Sequence, residues 1–333
     1  AGHVYGSPLN VHYGLHYPFV DYIPTINNYP GMELGFLTGD VVYSPDSISW
    51  DYAQADIDLF NFPVHIAAGN HDISAEFLER FGSYYYSFKH NDDLMIVLTP
   101  GGSWNIKNDQ LDFLTETLDS NYQDVNNIFI FLHELIWWGP DNQYQDIGIN
   151  YFPHYPGSTN FDTIVKPLLE SYPNNITMYA GDIGATNSSS PFMYDQFNNI
   201  TLIGSGMGKG VEDNIVITEV YADSIYYNLI AINSGNPKSL GELDEFTISI
   251  NELFLEDIFS VYPNPANRFL NIENPSENNV SLLLFNIYGQ LAFSNNLNAK
   301  ELKTIDVQSL KKGTYILKIN SNDFSFSRKL IIN

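Results

Sequence analysis

The tetrad Gly69-Asn70-His71-Asp72 directly follows the apolar run Phe62-Pro-Val-His-Ile-Ala-Ala68, and Gly39-Asp40, thirty positions earlier, closes a second such run, Leu34-Gly-Phe-Leu-Thr38. Each run has the length and apolar bias of a buried strand. Two buried strands separated by a helical pattern over Ser49–Phe60 commit the chain to an α/β arrangement. In open sheets of that kind ligands bind in the loops at the carboxyl ends of the strands. Here those loops carry Asp40, Asn70 and His71, which are hard oxygen and nitrogen donors, so metal-dependent hydrolysis is the first expectation.

The pattern continues. Strands are expected at Leu94–Thr99, Asn127–Leu132, Thr177–Ala180, Ile200–Ile203 and Asn214–Val220, and helices at Ala75–Phe81, Lys107–Ser120 and Phe161–Ser171. Ser47 is placed to cap the Ser49–Phe60 helix. The turn-rich stretch Asn233–Gly241 lacks periodicity and is expected to be a connector. Beyond it the text changes to short alternating runs, Phe269–Glu273, Ser281–Ile287, Gln290–Phe293, Thr304–Val307, Thr314–Ile319 and Phe324–Ile332, which describe a small all-β sandwich. The expected division is 1–232, a linker over 233–257, and 258–333.

Charge and cysteine content narrow the chemistry. The chain has no cysteine, so any metal must use O and N ligands, and disulfides and thiolate nucleophiles are excluded. The net charge of −25 disfavours nucleic acid and anionic membrane surfaces as partners. From Asn251 onward 8 basic residues balance 8 acidic ones, so the first 250 residues hold 14 − 8 = 6 basic and 39 − 8 = 31 acidic residues and carry the whole excess. That composition suits a solvated, secreted setting. No run approaches the ~18 apolar residues of a membrane-spanning helix. The opening Ala1-Gly2-His3 lacks an initiator Met, and an upstream segment is expected.

The words of the C-terminal region are specific: Val261-Tyr-Pro-Asn-Pro-Ala-Asn-Arg268, Leu284-Phe-Asn-Ile-Tyr-Gly-Gln290, Lys312-Gly-Thr-Tyr-Ile-Leu-Lys318 and Arg328-Lys-Leu-Ile-Ile-Asn333. In this order they resemble the C-terminal sorting domain of the bacterial type IX secretion system. The resemblance implies a Bacteroidetes-type bacterium, the type IX machinery as partner, and export across the outer membrane.

The first 232 residues resemble the calcineurin-like metallophosphoesterase superfamily. That family builds a two-metal site from an Asp-x-His, a Gly-Asp, a Gly-Asn-His-Asp or -Glu, a lone His and a Gly-His-x-His. Gly39-Asp40, Gly69-Asn70-His71-Asp72 and His133 match three of these blocks. Gly181-Asp-Ile-Gly184 stands in place of Gly-His-x-His, and Ala1-Gly2-His3 in place of Asp-x-His. The implied fold is an α/β metallophosphoesterase-like sandwich followed by a small immunoglobulin-like all-β domain. The implied cofactor is a divalent ion (Mn, Mg, Ca, Fe or Zn), one ion rather than two, because Ala1 and Gly184 delete ligands while Asp182 substitutes an oxygen for a nitrogen. Its ligands would be Asp40, Asn70, His133 and Asp182. His71 would act as the acid, with Asp72 orienting it, on a small-molecule phosphomonoester or phosphodiester.

Each residue also has a plainer reading. Gly-Asp after a strand is commonly a turn, and a lone histidine is commonly a packed one. His3 is the least certain of the remaining histidines, which are expected to be structural. The run Gly204–Gly210 fails the phosphate-loop spacing, because Ile203 stands where Gly is needed and Gly210 where Ser or Thr is needed. Trp137-Trp138 with Tyr144, Tyr151 and Tyr155 reads as a sugar-stacking wall or, more simply, as core. The competing function is a catalytically inactive protein of the same fold that binds a surface ligand such as a glycan. A pure scaffold ranks below both.

Overall fold

The structure, a computed structural model, describes residues 1–7, 13–150, 159–186, 188–208, 210–222, 224–232, 238–242, 260–274, 279–286, 291–320 and 325–332. The chain divides into two compact units, Ala1–Glu245 and Phe246–Asn333.

The N-terminal unit runs α1 (Tyr17–Asn27), β1 (Gly35–Thr38), α2 (Ser47–Ile57), β2 (Val64–Ala67), α3 (Ala75–Phe81), β3 (Tyr86–His90), β4 (Asp93–Val97), α4 (Asp109–Asn121), β5 (Asn127–Phe131), α5 (Lys166–Glu170), β6 (Asn175–Ala180), β7 (Phe192–Phe197), β8 (Ile200–Ser205), β9 (Asn214–Val220), β10 (Ile225–Ala231) and β11 (Lys238–Glu242). Its largest sheet has the order β3-β4-β5-β6-β8-β7, with β4, β5, β6 and β8 parallel and both edges antiparallel. β1 and β2 form a parallel pair, and β9, β10 and β11 an antiparallel set.

The layering follows from side-chain alternation, since successive strand residues point to opposite faces. In β4 and β5, Leu94, Ile96, Ile128 and Ile130 pack with α4 and α5, while Met95, Val97, Phe129 and Phe131 face the other strands. In β1 and β9, Leu37, Ile215 and Ile217 pack under α1, α2 and α3, while Phe36 and Val216 face the large sheet. The order is therefore helices, smaller sheets, large sheet, helices. Strands covered on both faces must be apolar throughout, which is why they were visible as runs rather than as alternations.

Several details depart from expectation. Asp46, not Ser47, caps α2 by accepting from the Ser49 amide. The helix expected over Phe161–Ser171 opens with a π turn, Phe161–Val165, before α5. Part of the connector is strand β11, paired with β10. Helix α1 and strands β3, β7 and β10 carried no recognised signal. Trp137 and Trp138 are core residues, buried to 0% and 5% exposure, and Tyr144 is buried with them, whereas Tyr151 and Tyr155 lie outside the described residues.

The C-terminal unit contains β12 (Ser260–Tyr262), β13 (Phe269–Glu273), β14 (Val280–Asn286), β15 (Leu291–Leu297), β16 (Leu302–Asp306), β17 (Gly313–Asn320) and β18 (Ser325–Ile332). They form sheets β12-β13-β16 and β15-β14-β17-β18, all antiparallel, around a core that includes Leu270, Ile272, Leu282, Leu284, Leu317 and Ile319. Tyr288 and Gly289, between the expected strands Ser281–Ile287 and Gln290–Phe293, lie outside the described residues. Among the described residues no helix is long and apolar enough to cross a membrane.

Two substitutions test this packing. Trp50, fully buried on α2, has its ring 5.7 Å from that of Phe77 and 5.2 Å from that of Phe81. Trp50→Ala is expected to cost about 3–5 kcal/mol in urea unfolding. Asp72 is fully buried and accepts from the amides of Gly69, Val41 and Val42 at 2.8, 2.9 and 3.1 Å. Asp72→Ala strands three buried donors and is expected to cost about 3 kcal/mol by the same measurement.

Candidate functional site

The carboxyl ends of β1, β2, β5 and β6 deliver Asp40, the Gly69–Asp72 loop, His133 and Asp182 to one place, and the segment Ala1–Tyr5 joins them. The approach is close enough to dictate residue type. Gly39 has φ +80°, and a Cβ there would collide with the His133 ring. A Cβ on Gly181 would collide with the Thr38 carbonyl. The Gly181 and Asp182 amides both donate to the His133 carbonyl at 2.8 Å, which ties β6 to β5 just beyond the sheet.

His133 is the centre of the cluster. Its Nδ1 lies 2.9 Å from the Thr38 carbonyl, which can only accept, so Nδ1 carries a proton there. Nε2 then faces Asp40 Oδ1 at 3.4 Å and Asp182 Oδ1 at 3.7 Å and, among the described residues, makes no well-formed hydrogen bond, although the side chain is fully buried. These distances are long for hydrogen bonds. Asp182 Oδ2 and His3 Nδ1 are likewise buried without a hydrogen-bond partner among the described residues, and His3 Nε2 lies 3.4 Å from Asp40 Oδ2.

Both His3 and Asp40 have left-handed backbone, φ 52° and 51°, a strained conformation for non-glycine residues that is characteristic of functional loops.

The electrostatics are those of a dry, crowded pocket. Burial opposes charge on Asp40, but His133 and His3 beside it hold its carboxyl well below the usual range. Burial likewise opposes charge on His133, yet Asp40 and Asp182 raise it well above the ordinary histidine value. Burial pushes Asp182 up to about 7, and the negative charge of Asp40 adds to the rise. Burial lowers His3 to about 4 despite Asp40, so at neutral pH its contact with Asp40 is that of a neutral imidazole and not an ion pair.

The remaining expected residues fall in two groups. His71 is half-buried, donates its amide to Asp40 Oδ1 at 3.1 Å, and places Nδ1 2.8 Å from the Tyr43 carbonyl. Tyr43 thus does the orienting expected of Asp72, whose carboxylate is occupied by backbone amides. Asn70 is exposed on the same loop and is not part of the contacts joining Asp40, His133 and Asp182. Among the described residues no three His, Asp or Glu side chains form a complete metal cage. The structure holds pairwise approaches around unpartnered donor atoms.

Two neighbours went unrecognised in the sequence. Tyr5 is buried, with its ring 4.4 Å from His3 and 5.2 Å from His71, and burial together with Asp40 and Asp182 raises its hydroxyl. Glu134 is buried with neither carboxylate oxygen hydrogen-bonded among the described residues, and burial pushes it up to about 8. The adjacency His133-Glu134 was the only available signal for the second, and aromatic content in a tyrosine-rich chain hid the first.

Comparison with known proteins identifies the other unit. No curated protein matches the chain. Among solved structures, an FMN-binding beta-glucuronidase from Facaelibacterium prausnitzii L2-6 aligns at 11% identity over 97% of this chain and 50% of its own, with a TM-score of 0.20, too low to carry a fold assignment. The chain spans about half the length of that protein. Residues 260–333 match the secretion system C-terminal sorting domain. This unit is therefore a type IX sorting domain, and the protein is a substrate of that machinery, exported to the cell surface or beyond it in a Bacteroidetes bacterium.

Proposed function

We propose that the N-terminal unit is a metal-dependent phosphoesterase-like hydrolase, acting outside the cell on a phosphomonoester or phosphodiester through a single divalent ion. The observation that carries this reading is His133 Nε2, fully buried, fixed in orientation by Thr38, and facing two carboxylates without a well-formed hydrogen bond among the described residues. Buried donors without partners are rare in folded proteins and call for a ligand. An imidazole oriented through its other nitrogen by a carbonyl is the usual arrangement of a metal-binding histidine. The spacings of 3.4 and 3.7 Å are close to the edge of about 3.3 Å between ligand atoms each about 2.0–2.1 Å from one ion.

Asp40, His133 and Asp182 would hold the ion, and His3 borders Asp40 on the opposite side. A divalent ion bound there would polarise a phosphoryl oxygen and lower the pKa of a water molecule. His71, held through Nδ1 by the Tyr43 carbonyl, keeps Nε2 to exchange a proton with a leaving oxygen. The buried, partly apolar surroundings strengthen every charge interaction in the site.

The alternative, a ligand-binding protein without catalysis, draws on the exposure of Asn70, which leaves fewer groups to position a nucleophile. Metal analysis and turnover separate the two readings. The purified protein is expected to hold about one divalent ion per chain and to hydrolyse chromogenic phosphoesters, with Asp40→Asn and His133→Ala lowering both by at least about 100-fold. Retained metal with no turnover of any phosphoester would favour the binding protein, and absence of metal would remove the enzyme.

Stability against pH gives an independent test. Asp72 and Asp182, both pushed up to about 7, and Glu134, pushed up to about 8, bind protons more tightly in the folded state. Their stabilisation is full below the ordinary carboxylate range, near about pH 4, and is lost as pH rises through 7 to 8. Asp40, shifted down, acts below this window, and His133, shifted up, loses its contribution only above its raised value. The Tm of chelated protein is therefore expected to fall between about pH 5 and 8. Added Mn²⁺ should reduce that fall in calorimetry, because the ion replaces the proton on Asp182.

A further inference from the structure

Between β5 and α5 the chain passes Asp182 at Gly148-Ile149-Asn150, a stretch with no chemical signal in the sequence. Ile149 is buried in the core of the large sheet and anchors the stretch. Gly148 clamps it to the loop before β7, its amide donating to Ser190 Oγ at 3.0 Å and its carbonyl accepting from the Ser190 amide at 2.6 Å. The approach admits only glycine, because a Cβ at 148 would strike the Ser188 carbonyl.

This clamp sets Asn150 astride the turn that follows β6. Its backbone amide donates to the Asp182 carbonyl at 3.3 Å, and its Oδ1 accepts from the Ala185 amide at 2.8 Å. The turn has little freedom of its own, since Gly184 has φ +87° and a Cβ there would meet the backbone of Gly206. The Ala185 amide can only donate, so the oxygen end of the Asn150 side chain must face it and the nitrogen end is left over. Nδ2 is buried and, among the described residues, makes no well-formed hydrogen bond. Asp182 Oδ2 is in the same condition. Burial raises the Asp182 carboxyl, and His133 and the Asn150 side chain oppose the rise, so the amide and the carboxylate are near enough to act on each other. A buried donor and a buried acceptor thus lie together, each with unused capacity, a condition that folded proteins rarely leave without purpose.

Given the single-ion site proposed for the N-terminal unit, we infer that Asn150 is a positioning residue for Asp182: Nδ2 donates to Oδ2 and turns Oδ1, beside His133 Nε2, toward the ion. A carboxylate held at one oxygen cannot swing, so less freedom is lost when the other binds. The donor also favours the ionised form that ligation requires. An amide does this without adding charge to the pocket. A Lys or Arg in its place would hold Asp182 as firmly but would repel the ion.

The test is divalent-ion affinity, read by titration calorimetry of the chelated protein with Mn²⁺. Asn150→Ala, and Asn150→Leu with its similar branched shape, should each raise Kd about 10–100-fold. Ser190→Ala is the control, since it removes one hydrogen bond of the same clamp and leaves Nδ2 in place. Its Kd should match that of the unaltered chain. Unchanged affinity in both Asn150 variants overturns the inference and leaves the single-ion reading standing. So does an equal loss in Ser190→Ala, which would make the clamp alone responsible. An unaltered chain that binds no Mn²⁺ removes the single-ion reading and this inference with it.

Discussion

The hydrogen bond from His133 Nδ1 to the Thr38 carbonyl joins the large sheet to the β1–β2 pair at the site, while side-chain bonds such as Thr177 to Tyr227 and Tyr179 to Thr218 join it to the β9–β10 strands farther along. Thr38 ends β1 of the smaller sheets, and His133 follows β5 of the larger. The same Thr38 carbonyl bears on the α-carbon of Gly181, and the His133 carbonyl accepts both amides that follow β6. Three strand ends are therefore locked together by backbone groups, with one imidazole as the bridge. The positions of Asp40 and Asp182 follow from that lock, since each lies within two residues of a bonded group.

Such a lock sets a cost as well as a geometry. It draws Asp40, Asp182, Glu134 and two imidazoles into a space with almost no solvent, where each isolated charge is strongly disfavoured. His133 offsets one carboxylate, and burial keeps protons on the others. The strained backbone of His3 and Asp40 adds to the cost. A protein under selection for stability alone would fill this place with apolar side chains. The cluster therefore points to a role that stability does not supply.

Legibility in the sequence tracked burial. Strands covered on both faces, such as β1, β5 and β6, announced themselves as apolar runs, and the residues just past their carboxyl ends, Asp40, His133 and Asp182, were found from them. The edge strands β3 and β7, partly exposed with mixed patterns such as Tyr-Ser-Phe-Lys-His, gave no such signal, and α1 was hidden by Pro24 within it. Side-chain roles were less legible than positions. Nothing in Gly69-Asn70-His71-Asp72 discloses that Asp72 turns inward to three amides while Asn70 faces solvent, because that choice depends on where Val41 and Val42 pass. Tyr5 was invisible for the same reason, being brought to His71 only by the folding of the whole unit.

Charge balance explains how one buried cluster could serve two states. Without an ion, His133 carries a proton, Asp40 is ionised, and Asp182 is neutral below about pH 7, so the three sum to zero. With a divalent ion, a neutral His133 and two ionised carboxylates again sum to zero. Loading would exchange two protons for one doubly charged ion and leave the interior no more charged than before. A histidine in place of Asp182 would break this equality, since Asp40 alone could not neutralise the ion. If the proposed ion binds here, the oxygen at position 182 would be what keeps the loaded cluster neutral, so that net charge as well as ligand count would govern which ion it takes.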